Sequence, residues 1–271
     1  MKKIILLITV VISTTMATAQ TKAWKIALHV DPNISWMKPD NNNITASGSK
    51  LNFGYGISID RMFAENYAIA TGLQILNAGG RFKYHRIDEA RMTNTTTEYT
   101  SVSQVTRVYK LKYLEVPLTL RLRTNEIGYI KYWVQVGMGL GFNIRARGND
   151  EIDHQNINTN IDTQTSPNWE PADEAVIDQT GANALENVDI DDDIRLFRTS
   201  LIAGGGIEYN LSGDVSLVTG VIFNNAFSNV LRGEGVSLLN GNPSYDDNLQ
   251  PKTFKMKAIS NALSLQVGIL F

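Results

Sequence analysis

Apolar residues recur at every second position over long parts of this chain, and a period of two predicts β-strands. Eight segments carry the pattern: Trp24 to Trp36, Leu51 to Met62, Tyr67 to about Gly79, about Thr106 to Arg123, Tyr129 to Arg145, about Leu196 to Asn210, Val215 to Phe227, and Ile259 to Phe271. Helical spacing is scarce. The stretch KYLEVPLTLRLR, Lys112 to Arg123, poses the central question. Leu114, Val116, Leu118, Leu120 and Leu122 share one face of a strand, while Tyr113, Glu115, Pro117, Thr119, Arg121 and Arg123 share the other. Which face is the inside decides what kind of protein this is.

Connection lengths bear on that question. Short links at 63–66, 124–128 and 211–214 alternate with long ones near 38–50, 80–105, 146–195 and 228–255. Short turns at one end and long loops at the other predict an all-β fold. The expectation is an eight-stranded antiparallel up-and-down transmembrane β-barrel, with short periplasmic turns, long extracellular loops and both termini in the periplasm. In a soluble sandwich the non-apolar phase would favour large charged residues. Here it holds Gly54, Gly56, Ala68, Ala70, Gly72, Gly137, Gly139, Gly141, Gly204 and Gly206, which suit the cramped interior of a small barrel. The apolar phase is therefore expected to face lipid and the mixed phase the lumen. Trp24 and Trp36 are twelve residues apart in one phase, about 30 Å along the membrane normal for tilted strands. That separation matches an apolar band flanked by aromatic girdles. Tyr67, Tyr129, Tyr209 and Phe271 are expected at the periplasmic girdle, and Phe142, Phe197 and Phe227 at the outer one.

The ends point to the same compartment. Lys2 and Lys3 precede a short apolar run, Ile4 to Ile12, and Ala17-Thr18-Ala19 follows as a cleavage site. Residues 1–19 are read as a secretory signal peptide cut between Ala19 and Gln20, leaving 20–271 as the barrel. The run is too short to span a bilayer as a helix, and no later segment holds eighteen consecutive apolar residues. Loss of the two lysines takes the formal charge from −2 to −4, which predicts no nucleic-acid partner. The absence of cysteine excludes both a disulfide framework and a lipidated N-terminal cysteine. The closing phrase LSLQVGILF, with Gly268 and a final Phe271, is similar to the C-terminal signal that barrel-assembly machinery reads.

In Tyr113-Leu114-Glu115-Val116-Pro117-Leu118 the chain resembles the Y-L-E-[IV]-P-L signature strand of the PorT-like outer-membrane barrels of Bacteroidetes. TGLQIL, Thr71 to Leu76, resembles the strand before it, and GMGLGF the strand after. The resemblance covers essentially the mature chain and implies an eight-strand barrel in the outer membrane of a Gram-negative bacterium. It further implies a role supporting type IX secretion and gliding, with secretion-apparatus proteins as partners beside outer-membrane lipid and lipopolysaccharide.

Candidate chemistry lies first in the lumen phase. Asp60, Gln74, Glu115, Arg121, Gln135, Arg198 and Glu208 fall there. Charges inside a narrow barrel must be paired or hydrogen-bonded, so these residues are expected to form a polar plug; a narrow gated pore is the alternative. Pro117 cannot donate to a ladder, and a closed barrel has no edge strand, so a bulge or local break is expected there. The insert 146–195 is read as a long acidic extracellular loop, with surface adhesion or binding as its functional alternative. Its DIDDDI run, Asp189 to Ile194, suggests calcium, but Ile194 stands where an EF-hand loop needs glycine, and a solvated loop is expected. His29, His85 and His154 have no metal-site spacing. His85 with Asp88 near the rim lacks a nucleophile motif. In GMGLGF the third dinucleotide glycine is replaced by Phe142. No catalysis, cofactor or metal is expected.

Overall fold

The computed structural model describes residues 24–91, 98–153, 184–239, 242–244, 246 and 251–271. Ala19, Gln20 and the rest of the leader lie outside them. Eight long strands form the barrel: β1 (Trp24–Pro39), β2 (Lys50–Ala64), β3 (Tyr67–Arg91), β4 (Glu98–Arg123), β5 (Ile130–Asp153), β6 (Phe197–Ser212), β7 (Val215–Ala226) and β8 (Ala258–Leu270). Each pairs antiparallel with its sequence neighbour, and β1 pairs with β8 to close the ring. The fold is an eight-stranded up-and-down β-barrel.

Its outside is apolar. Ile26, Leu28, Ile57, Leu118, Val134, Met138, Leu201, Val221 and Leu265 are all exposed, as hydrocarbon-facing residues of a spanning barrel must be. The same strands bury Ser58, Asp60, Glu115, Arg121, Gln135, Arg198 and Glu208 inside. Aromatic pairs mark both edges of the apolar band. Tyr129 with Tyr209 and Phe63 with Tyr67 lie at the short-turn end, with ring centroids 6.3 and 6.1 Å apart. Phe142 with Phe197 and Trp36 with Phe223 lie toward the other end, at 5.2 and 6.2 Å. Two of the short turns need a left-handed residue and place glycine there: Gly128 at φ +67° and Gly213 at φ +56°.

Three strands overrun the membrane. β7 and β8 have 12 and 13 residues, about 30 Å of height at a tilt near 40°. β3, β4 and β5 have 25, 26 and 24, about twice that height by the same geometry. The expected long loop at 80–105 is therefore mostly paired strand, in register from Arg81↔Val108 to Arg91↔Glu98. The insert 146–195 is likewise no continuous loop. β5 runs on through its first residues to Asp153, and Ala184–Asp189 returns as a short strand paired with β5.

Beyond the apolar band the strands change their inner face. Val105, Tyr109, Leu111 and Tyr113 of β4 are buried, as are Leu76, Phe82 and Tyr84 of β3. With Met37, Ile44, Ile190, Ile194, Val230, Leu231 and Met256 they make a dry core that roofs the barrel at its long-loop end. A pleated strand in lipid turns its apolar side out; in water it must turn it in.

The expectation at Pro117 is corrected in part. On the β5 side the ladder runs unbroken through Pro117↔Gly139. On the β3 side it lapses between Thr71↔Leu118 and Gln74↔Glu115, with the register kept and no bulge. The Pro117 carbonyl accepts from the Thr71 hydroxyl at 2.9 Å. Carbonyl and nitrogen of one strand residue point the same way, so the missing N–H falls on the β3 side, where the gap is. The bulge of this strand pair lies four residues back along β4 from Pro117. Between Lys112 and Tyr113 the partner jumps from Arg145 to Asn143, leaving Ile144 unpaired.

Candidate functional site

The lumen is the place where chemistry could occur, and two polar clusters fill it. One lies toward the short-turn end. Arg121 and Arg123 of β4 are two residues apart and therefore point to the same side of the strand. Arg121 donates from Nη1 to Asp60 Oδ2 of β2 at 2.8 Å. It also donates from Nε and Nη2 to Gln135 Oε1 of β5 at 3.1 and 2.6 Å. Arg123 bonds the same Asp60 oxygen and reaches Glu208 Oε1 of β6 at 2.5 Å. Lys25 of β1 lies 3.8 Å from the other Glu208 oxygen. The Arg121 guanidinium stacks 5.0 Å from the centre of the buried Trp133 ring, a cation–π contact. Two arginines thus tie four strands across the lumen, and Lys25 adds a fifth through Glu208.

The other cluster is nearer the middle. Glu115 of β4 and Arg198 of β6 have fully buried side chains and meet at 2.7 Å. Arg198 also donates to Asn224 Oδ1 of β7 at 2.6 Å and to the Ser260 carbonyl of β8 at 3.0 Å. Glu115 Oε1 accepts from Gln74 of β3 at 2.7 Å and from Asn224 at 2.8 Å. A buried ion pair is tolerable only when its remaining donors and acceptors are satisfied, and here neutral amides do most of that work.

Between the clusters lies a cavity of about 40 Å³ bordered by His29, Asp31, Thr119, Arg121, Gln135 and Asn224. His29 Nδ1 and Asp31 Oδ2 are 2.7 Å apart within it. This is room for a water or two. Above the second cluster the dry roof closes the lumen. It holds a further charged cluster: Arg107 donates from Nε and Nη2 to both oxygens of Asp150 at 2.7 Å each, and from Nη1 to Asp193 at 3.0 Å. Burial alone would lower the Arg107 pKa, but the Asp150 bond and the neighbouring tyrosines hold it above its ordinary value. Burial pushes the Tyr84 hydroxyl up to about 12, and raises Tyr109 well above its usual range.

The seven lumen residues named from the sequence are therefore divided. Asp60, Arg121, Gln135 and Glu208 belong to the first cluster, and Gln74, Glu115 and Arg198 to the second. Arg123, Lys25, Asn224 and Arg107 were not singled out. Arg123 and Asn224 share the phase of Arg121 and of the β7 inner face, and that phase was the available signal. The DIDDDI run is not merely solvated. Ile190 and Ile194 enter the roof core, Asp189 pairs with Arg147, and Asp191 accepts from the Ala146 N–H at 2.6 Å. Among the described residues no three carboxylate, histidine or cysteine side chains converge on one point. His85 is half-buried, and that burial lowers its pKa; His154 and the side chain of Asp88 lie outside the described residues. At the closing seam, Phe271 exchanges backbone bonds with Ile26 at 2.8 and 3.2 Å, with its ring exposed. Gly268 sits opposite His29, where a Cβ would come within 2.5 Å of the Leu28 carbonyl oxygen.

Residues 18–173, more than half of the chain, match the sequence model of the outer membrane protein beta-barrel domain. The chain belongs to that family. Its place is accordingly the outer membrane. Similar solved structures include Neisserial surface protein A, at 13% identity and a TM-score of 0.38, covering 91% of this chain and 96% of that one. Ail, the attachment invasion locus protein of Yersinia pestis, is 10% identical with a TM-score of 0.33, covering 91% and 98%. The outer membrane protease OmpT from Escherichia coli is 9% identical with a TM-score of 0.35, covering 94% and 99%. No curated protein sequence matches the chain.

Proposed function

We propose that this protein is a non-catalytic outer-membrane barrel with a structural or accessory role, both termini in the periplasm and its dry roof at the cell surface. The observation that carries this reading is the filled lumen: two ion clusters that together draw on all eight strands, a cavity of about 40 Å³ and an apolar roof. A pore needs a continuous wet path, and a catalytic rim needs a nucleophile beside a base. Among the described residues neither is present at the lumen mouth. The likeness of YLEVPL to the PorT-like signature strand supports membership in that narrower group, and with it a role in type IX secretion and gliding. Its partners would then be secretion-apparatus proteins, the barrel-assembly machinery that reads Gly268 and Phe271, and the lipid and lipopolysaccharide of the outer membrane. Deleting the gene and measuring export of type IX cargo tests the specific role: a secretion defect restored by the wild-type gene is expected, and normal secretion would remove it.

A further inference from the structure

Where β4 and β5 leave the apolar band, like charges stand directly opposite one another. Leu114↔Phe142 is the last outward apolar pair. The next two outward pairs are Lys112↔Arg145 and Lys110↔Arg147. The bulge at Ile144 produces this arrangement, turning Ile144 and Arg145 both outward. Opposed like charges on adjacent strands destabilise a sheet, so two successive pairs call for a counter-charge. Lys50 lines the same open hollow of about 320 Å³, with Asn77 and Asn187 beside it. Among the described residues Asp189 is the one carboxylate within ion-pair distance of these five cations, and it is bonded to Arg147. Lys110 is held by the neutral Asn149 side chain at 2.8 Å.

The height of these pairs on the barrel bears on what could supply that counter-charge. The two pairs stand about 5 and 10 Å above Leu114↔Phe142 for a strand tilted near 40°. That is headgroup height. Phe142 on the rung below and Ile144 at the bulge are exposed on the outer face, as are Leu51 and Phe53 of β2 beside the hollow. A ligand fitting this site has acyl chains below and anionic phosphate above. We propose that Lys50, Lys110, Lys112, Arg145 and Arg147 form a binding site for the phosphorylated headgroup of a lipid in the leaflet at the long-loop end. Arg145 and Arg147 can each grip phosphate with a planar fork, and the lysines add point charge. The orientation proposed above makes this the outer leaflet; the site itself does not depend on it.

The test uses the purified full chain in detergent micelles, where orientation plays no part. Retention of diphosphorylated lipid A and of dephosphorylated lipid A is measured by native mass spectrometry. The comparison is between wild type, a Lys110→Ala/Lys112→Ala/Arg145→Ala variant, and a Lys252→Ala/Lys255→Ala control elsewhere on the roof. Wild type and control should retain the phosphorylated lipid, with at least about tenfold weaker binding in the triple variant. Dephosphorylated lipid should not distinguish the three. Equal retention by wild type and triple variant would overturn the proposal. So would full competition by free inorganic phosphate, or equal affinity for a lipid-free sulfated glycan. Labelling of Asn187→Cys by an impermeant maleimide on intact cells reports orientation separately.

Discussion

Removing the Glu115 carboxylate leaves the Arg198 guanidinium in the lumen with no anion. Both side chains are fully buried and 2.7 Å apart. Breaking a buried pair from one side costs about 3–5 kcal/mol, because the surviving charge is desolvated and uncompensated. Glu115 also accepts from Gln74 and Asn224. Each stranded amide adds up to about 1–3 kcal/mol if it finds no other partner, though these losses overlap with the first. The expected loss for Glu115→Ala is therefore about 4 kcal/mol. Replacing both members, Glu115→Ala with Arg198→Met, removes the uncompensated charge and should recover about half of that loss, giving a coupling of about 2 kcal/mol or more. Urea unfolding in phosphatidylcholine vesicles, followed by tryptophan fluorescence and heat-modifiable migration, supplies the four free energies. A loss under about 1 kcal/mol for the single variant, or additive effects in the cycle, would refute the claim that this pair braces the barrel.

Three further outcomes follow from the same structure. Tyr84 titrates near 12 in the folded roof against about 10 when unfolded. Its contribution is whole below about pH 10 and lost as pH rises toward 12, about 3 kcal/mol in all; proteolysis of the roof should rise across that window, and less steeply in Tyr84→Phe. Gly220→Val places a Cβ about 2.4 Å from Trp133 Cζ2, so overpacking should cost about 1–3 kcal/mol and shift the tryptophan emission; unchanged emission and stability would contradict the packing. Asp150→Ala leaves Arg107 with Asp193 alone and should lower roof stability by about 3 kcal/mol, seen as protease cleavage between residues 80 and 110 while the membrane strands keep their gel migration.

The barrel was legible in the sequence because lipid enforces a strict two-residue period. Leu114 to Leu122 on one face, against Glu115 and Arg121 on the other, already separated outside from lumen. The membership of the polar network was readable from phase, but its pairing was not. Whether Arg121 meets Asp60 or Glu115 depends on the stagger between strands, which alternation does not encode. The roof was missed for a related reason. Val105, Tyr109 and Leu111 alternate with Thr106, Val108 and Lys110, and the apolar phase changes sides where water replaces lipid. A reading that holds the phase constant keeps Tyr109 and Leu111 in the fourth strand without seeing a core there, and takes 80–105 for loop. At Pro117 the lost donor was foreseen correctly, but the strand absorbs it by omitting ladder bonds on the β3 side only, with the register kept.

A lumen filled from the first cluster to the roof passes no ions, and planar-bilayer recording tests this most directly. Purified wild-type chain, inserted and shown to be folded by heat-modifiable migration, should leave the current at the baseline of the protein-free membrane. Discrete, reproducible openings from that same preparation would contradict the plugged barrel.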